Sequence, residues 1–176
     1  MNENNLSNST DPNYKFKYLD ISGIIKPKMI GDLSWVSFSD APSRARRVVK
    51  DGDIVLSLVR PYQKSFVFID SARDIIASTG TGVITTKQGI NSKFIFHQFF
   101  SKRFTSYCET NMAGTNYPAI TPNDLKNFEI VYFPELEKQN EIARKLDHLD
   151  ISIQNLESKL QSSQALLKSL INEVFQ

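Results

Sequence analysis

Five consecutive residues, Arg60-Pro61-Tyr62-Gln63-Lys64, gather a guanidinium, a phenol, an amide and an ammonium around a proline that fixes one backbone angle. This set donates hydrogen bonds and offers an aromatic face, so it suits a polyanion; its plain alternative is a polar hairpin connection. A second basic run, Arg44, Arg46, Arg47 and Lys50, lies just upstream and suits either phosphate neutralisation or a solvated surface. Asn116 and Tyr117, in a turn over residues 114–118, form a third candidate pair, with a turn residue and a core aromatic as the structural alternative. Covalent chemistry has no comparable set. The single cysteine, Cys108, excludes an intrachain disulfide and a cysteine zinc site, and His97 and His148 are too few for a histidine cluster. Cys108 reads as a small apolar residue on a helix. Thr79 and Thr81 flank Gly80 without the Lys-Ser/Thr ending of a phosphate loop, so a structural turn is expected there. The chain carries no Asn/Asp-Pro-Pro-aromatic methyltransferase motif and no glycine-rich cofactor loop, and Glu157-Ser158-Lys159 matches a nuclease triplet only by chance. No catalytic residue, metal or cofactor is therefore expected.

Charge supports the same division. The net charge of +2 over 176 residues is unremarkable, but residues 1–133 hold 16 Lys and Arg against 12 Asp and Glu, while residues 134–176 hold 5 against 7. The base lies in the first part, which favours a polyanion partner there and a protein partner for the tail. No apolar run approaches the ~20 residues of a membrane span, and the first residues are polar, so no membrane association and a cytoplasmic location are expected.

Several elements must position these residues. Residues 1–13 are rich in Asn and Ser and predict disorder, because they have little apolar surface to bury. Residues 14–133 predict one α+β domain. Phe16, Tyr18, Leu19 and Ile21 mark an extended segment, and Pro27, Gly31 and Pro42 break the chain into loops. Asp51-Gly52-Asp53 predicts a turn, with strands at 54–59, 65–69, 75–78 and 83–85 that together make a small sheet. Ser92 is expected to cap a helix whose Phe96, Phe99, Phe100, Phe104 and Tyr107 share one face as core. Thr121, Pro122 and Asp124 predict a helical start, and the alternation over 128–133 a final strand ending at Pro134.

Residues 134–176 predict a long coiled-coil helix. Ile142, Leu146, Leu149, Ile153, Leu156, Leu160, Leu167, Leu170 and Val174 recur at steps of four and three, interrupted only by Ser163. Such a stripe must meet another helix. The preceding domain offers none of similar length, so a homodimer about a two-fold axis is favoured over folding back or docking a different subunit. The mixed side chains at the two seam positions leave parallel and antiparallel pairing open.

Several stretches resemble one family. Gly114-Thr115-Asn116-Tyr117-Pro118-Ala119-Ile120, then Leu125, Phe128-Glu129-Ile130, Pro134 and Gln139-Asn140-Glu141-Ile142-Ala143 resemble the junction of specificity subunits of type I restriction-modification systems, where a target recognition domain runs into a long helix. Ser43-Arg44-Ala45-Arg46-Arg47, Gly52-Asp53-Ile54-Val55 and Ser78-Thr79-Gly80-Thr81-Gly82 resemble further pieces of such a domain. The resemblance implies a non-catalytic subunit. Its usual members carry two recognition domains, each reading half of a bipartite double-stranded DNA site, held apart by two antiparallel helices that dock methyltransferase subunits and, through them, the restriction subunit. This chain resembles one half, and two halves on a two-fold axis would read an interrupted palindrome.

On that reading Arg44, Arg46, Arg47 and Lys50 neutralise phosphates, Arg60, Tyr62, Gln63 and Lys64 are the foremost base readers, and Asn116 and Tyr117 are further candidates to project to DNA. Lys138, Arg144, Lys145 and Lys159 read as the solvated face of the helix, with methyltransferase docking as the family-implied alternative. The resemblance implies that the segment usually preceding the match to Tyr18-Leu19-Asp20-Ile21-Ser22 is shortened or lost here. A remnant that binds specificity or modification subunits without reading DNA is therefore the second reading.

Overall fold

The computed structural model describes residues 1, 4–25, 28–29 and 33–175. Pro27 and Gly31, two of the expected loop breakers, lie outside the described residues. The architecture is α+β. Strand β1 is Lys15–Leu19, β2 Ile24–Ile25, β3 Lys28–Met29, β4 Trp35–Ser37, β5 Ala45–Val48, β6 Ile54–Ser57, β7 Phe66–Phe68, β8 Ile75–Ser78 and β9 Thr81–Ile84; helix α1 is Ser92–Gln98, α2 Lys102–Asn111, α3 Pro122–Asn127 and α4 Leu136–Val174.

The four strands expected in one sheet divide between two. β7, β6 and β9 form an antiparallel sheet with β6 at its centre, whereas β8 joins a second sheet in the order β4-β1-β8-β5. There β8 runs parallel to β1, pairing Tyr18 with Ile76, and antiparallel to β5. Central β6 is buried on both faces, as its unbroken Ile-Val-Leu run requires. Because alternate side chains leave a strand on opposite sides, Ile54 and Leu56 enter one core and Val55 another. The first core holds the helices; the second holds Leu19, Ile75 and Ala77 of the neighbouring sheet. The Asp51-Gly52-Asp53 turn forms as expected, with Gly52 at a φ of 81° that a side chain would strain.

The aromatic stripe is core, but its helix is broken. Asn91 rather than Ser92 caps α1, its side chain accepting from the Phe94 N–H, and Ser101 caps α2 by accepting from the Phe104 N–H. Apolar spacing alone runs straight through this break. Phe66 meets Phe99, Phe100 and Phe104 edge-on, with ring centroids 6.5, 5.5 and 5.8 Å apart. Cys108 is buried on α2, where desolvation and then Glu109 push its thiol up to about 12, which leaves it inert. α3 begins at the expected Thr121-Pro122-Asp124 with a complete capping box.

Two further expectations give way. Residues 128–133 form no strand: the side chain of Gln98 donates to the Val131 carbonyl at 3.1 Å and accepts from its N–H at 2.7 Å. One amide side chain satisfies the backbone that a neighbouring strand would have paired. Asn4, Asn5 and Leu6, within the stretch predicted to be disordered, run beside β5, where the Leu6 N–H donates to Arg46 O at 2.7 Å and the Val48 N–H to Asn4 O at 3.0 Å. Leu6 packs against the cluster of Phe16, Ala45 and Ile76. Backbone pairing at a sheet edge needs no apolar composition, so the polar sequence concealed it.

α4 is 39 residues long, about 58 Å at ~1.5 Å per residue. Its base packs on the head: Gln139 and Ala143 are buried, and Ile142 joins the helical core. Beyond Asp150 the helix projects away from that contact.

Candidate nucleic-acid interface and pairing helix

The end of β6 builds the first candidate surface. Pro61–Gln63 is a single 3-10 turn flanked by Arg60 and Lys64, both in the left-handed region at φ 47° and 56°. Non-glycine residues rarely hold that conformation, and here the Arg60 N–H is pinned to Pro118 O at 2.8 Å. The turn and the 114–118 segment thereby meet across the fold. The Arg60 guanidinium donates to Asn116 O at 2.9 Å and lies over the Tyr117 ring at 5.0 Å. Tyr117 is largely exposed, and Tyr62 and Gln63 face solvent beside it. Lys64 behaves differently: its Nζ donates to Phe100 O at 3.1 Å, which ties the turn to the helices.

The second basic run sits elsewhere than expected. Arg46 and Arg47 lie within β5 rather than on a loop, half-buried beside fully buried Ala45 and paired to β8 through a register shift. Arg46 folds over the Phe38 ring at 4.9 Å and donates to Ala45 O. Arg44 and Lys50 are exposed at either end of the strand. These four belong to the β4-β1-β8-β5 side and are not gathered with Arg60. A pair that sequence reading passed over stands on the same sheet: Trp35 is 56% exposed, with half-buried Lys17 at 5.5 Å from its ring across the β1–β4 register.

The apolar seam divides at the head. Ile142 is packed into the chain's own core and Leu146 is half-buried, so these two serve the base of the helix rather than a free stripe. Leu149, Ile153, Leu156, Leu160, Leu167, Leu170 and Val174 are exposed, Leu156 at 66% and Val174 at 70%. Leu166 and Ile171 widen the stripe toward the C-terminus.

Polar contacts lock the base, and sequence reading missed them. Fully buried Gln139 accepts from the Asn91 N–H at 2.9 Å and donates to Phe133 O at 2.7 Å, while the Asn91 side chain donates to Asn140 at 2.7 Å. Farther along, His97 Nε2 lies 2.7 Å from Asp147 Oδ1, and Lys93 Nζ 3.1 Å from Asp147 Oδ2. Burial works to raise the Asp147 carboxyl, but hydrogen bonds from His97 and Lys93 outweigh it and hold the group below the ordinary value. A carboxyl depressed on folding contributes stability above its unfolded pKa of about 3.9 and loses it as pH falls through the folded value. Asp147→Asn is accordingly expected to lower unfolding stability by about 1.5 kcal/mol at neutral pH, as for hydrogen bonds to a charged group. Denaturant titrations should show the two proteins converging in acid. Among the described residues no group of His, Cys, Asp and Glu is placed to hold a metal, and no helix is long and apolar enough to cross a membrane.

Comparison with known proteins agrees with this construction. A family described as the type I restriction modification DNA specificity domain matches residues 12–163. The chain therefore belongs to that family, which is the family of type I restriction enzyme specificity subunits. It is 27% identical over 166 residues to the specificity subunit of type I restriction enzyme HindI from Haemophilus influenzae, covering 89% of this chain and 33% of that protein. It is 25% identical over 148 residues to the MjaIX specificity subunit from Methanocaldococcus jannaschii, covering 74% and 34%. Among solved structures, the HsdS subunit from Thermoanaerobacter tengcongensis superposes with a TM-score of 0.75 at 31% identity, over 93% of this chain and 44% of that one. A chain from a structure of type I R-M complex assembly and conformational transition gives 0.78 at 29% identity, with the same coverage. The chain thus spans about a third of the length of these curated relatives and under half of the solved chains.

Proposed function

We propose that this chain is a non-catalytic DNA-recognition unit that pairs with a second copy through α4, presents two heads to a bipartite double-stranded site, and directs methyltransferase and restriction subunits to it. The exposed seam carries the reading. Seven seam side chains from Leu149 to Val174 stand in water on a single chain, a stripe suited to a matching helix. The fraction of its relatives that the chain spans fits one recognition head and one helix, and a two-fold pair supplies the second of each.

In each head the Arg60 turn with Asn116 and Tyr117 reads bases, and Arg44, Arg46, Arg47 and Lys50 neutralise phosphates. The Arg60 guanidinium is already held over an aromatic ring, and its planar fork of donors suits the O6 and N7 of guanine. Arg60→Ala is expected to relax preference at one base pair in each half-site by about 1–3 kcal/mol, leaving the other positions unchanged. Arg44→Ala should instead weaken binding evenly across sequences and flatten its salt dependence.

Selection from random duplexes, with and without a methyltransferase partner, tests the proposal. The expected product is an inverted repeat with a fixed gap, bound less tightly as salt rises. Co-purification with modification subunits but no selected sequence would replace this reading with that of a remnant.

A further inference from the structure

We propose that the contact between α1 and α4 centred on His97 and Asp147 is a positioning clasp: it sets the angle of the head on the helix, and so the gap length that a pair of chains accepts between half-sites. The gap-length half of this proposal rests on the function proposed above; the angle half does not.

Two contact zones hold α4 to the head. At the base, Gln139 and Ala143 are buried and the Asn91–Gln139 bonds fix where the helix starts. These contacts all lie in the first two turns of the helix, so they fix its starting point over a short baseline and leave its angle to whatever holds it farther along. The second zone lies one to two turns along. Lys93 and His97, one turn apart on α1, grip Asp147 and Asp150, one turn apart on α4: His97 Nε2 is 2.7 Å from Asp147, its Nδ1 3.8 Å from Asp150, and Lys93 holds the other Asp147 oxygen at 3.1 Å. The imidazole is only 9% exposed and rests beside Phe96, so it cannot swing freely. Lys93 also lies over the Phe68 ring of β7 at 5.4 Å, which carries the grip through to the central sheet. Apolar contacts tolerate sliding; two directional hydrogen bonds from different α1 residues onto the two oxygens of one carboxylate select one angle.

Leverage makes that angle matter. From Asp150 to the end of α4 the helix extends about 36 Å at ~1.5 Å per residue. A tilt of about 10° at the clasp moves the far end by roughly 6 Å, nearly two base-pair steps of ~3.4 Å. In a two-fold pair both heads tilt together, so a loosened clasp translates directly into tolerance of gap length.

The test compares wild type, His97→Ala and His97→Gln, the last keeping a donor for Asp147. Selection uses duplexes in which the half-sites are fixed and the gap length varies. Wild type and His97→Gln should each enrich one gap length, and His97→Ala at least three adjacent lengths with unchanged half-site preference. An unchanged gap in His97→Ala overturns the proposal, as does loss of half-site preference together with the gap, which marks a merely structural residue. A second arm needs no DNA. Nitroxide labels on Lys87→Cys of the head and Ser158→Cys of the helix, in labelled chains diluted with unlabelled ones, report the angle; buried Cys108 takes no label. The distance distribution should be about twice as broad in His97→Ala and narrow again in His97→Gln. Equal widths in all three overturn the clasp. If wild type selects no half-site, the proposed function fails, and the label distances alone decide whether the clasp fixes the angle.

Discussion

Ile153→Asp combined with Leu160→Asp is expected to convert a dimer into a monomer while leaving the head folded. Both residues sit at one heptad position, one turn pair apart, and both are more than half exposed in the single chain. Burying a large aliphatic side chain contributes about 1.5–3 kcal/mol, so losing four across a pair removes at least ~6 kcal/mol before the added carboxylates repel each other. At ~1.4 kcal/mol per tenfold, dissociation should become easier by more than about four orders of magnitude. Gln161→Asp, on the outer face of the same turns, should leave the pair intact. Light scattering distinguishes the variants, and circular dichroism should show unchanged head structure. DNA binding by the double variant should fall to single half-sites, because each head is then presented alone.

Gln139→Leu is expected to be the most damaging single change at the junction. The side chain is fully buried and answers two backbone groups from different segments, the Asn91 N–H and the Phe133 carbonyl. Leucine fills a similar volume but leaves both groups buried and unpaired, at about 1–3 kcal/mol each. A loss near 4 kcal/mol in denaturant titrations follows, a large share of a small domain's stability. Asn140→Ala, which removes a bond between two side chains nearer solvent, should cost about 1 kcal/mol. A Gln139→Leu protein as stable as wild type would mean that the base of α4 is held by Ala143 and Ile142 alone.

The parts of this fold that were legible in the sequence are those fixed by local chemistry. Thr121, Pro122 and Asp124 announce their cap, Gly52 its turn, and the heptad its helix, because each signal lies within one or two turns of chain. Contacts across the fold were hidden. The parallel pairing of β1 with β8 bridges residues far apart in sequence, so β8 read as a neighbour of β6 instead. The 128–133 sequence alternates like a strand, yet the partner of Val131 is a glutamine side chain that no periodicity reveals.

The candidate site follows the same rule. Residue types nominated Arg60, Asn116 and Tyr117 separately, but only folding shows that Arg60 reaches a carbonyl 56 residues away and lies over the next ring. Ile142 kept perfect heptad phase while turning into its own head, since period records a face and not what covers it. Gln139 had one faint signal: a polar residue in phase with that stripe, three positions before Ile142. His97 and Asp147 had none, each reading as an ordinary polar helix residue.

Sedimentation equilibrium of the purified chain over a hundredfold range of concentration, about two decades in the mass-action term, puts the pairing of two heads to trial. A mass of twice 20.0 kDa that dissociates only on dilution, and at the same concentration for Gln161→Asp, is the expected result. A mass of 20.0 kDa at every concentration would mean that the leucine stripe meets no twin, and a reader of two half-sites could not be built from this chain alone.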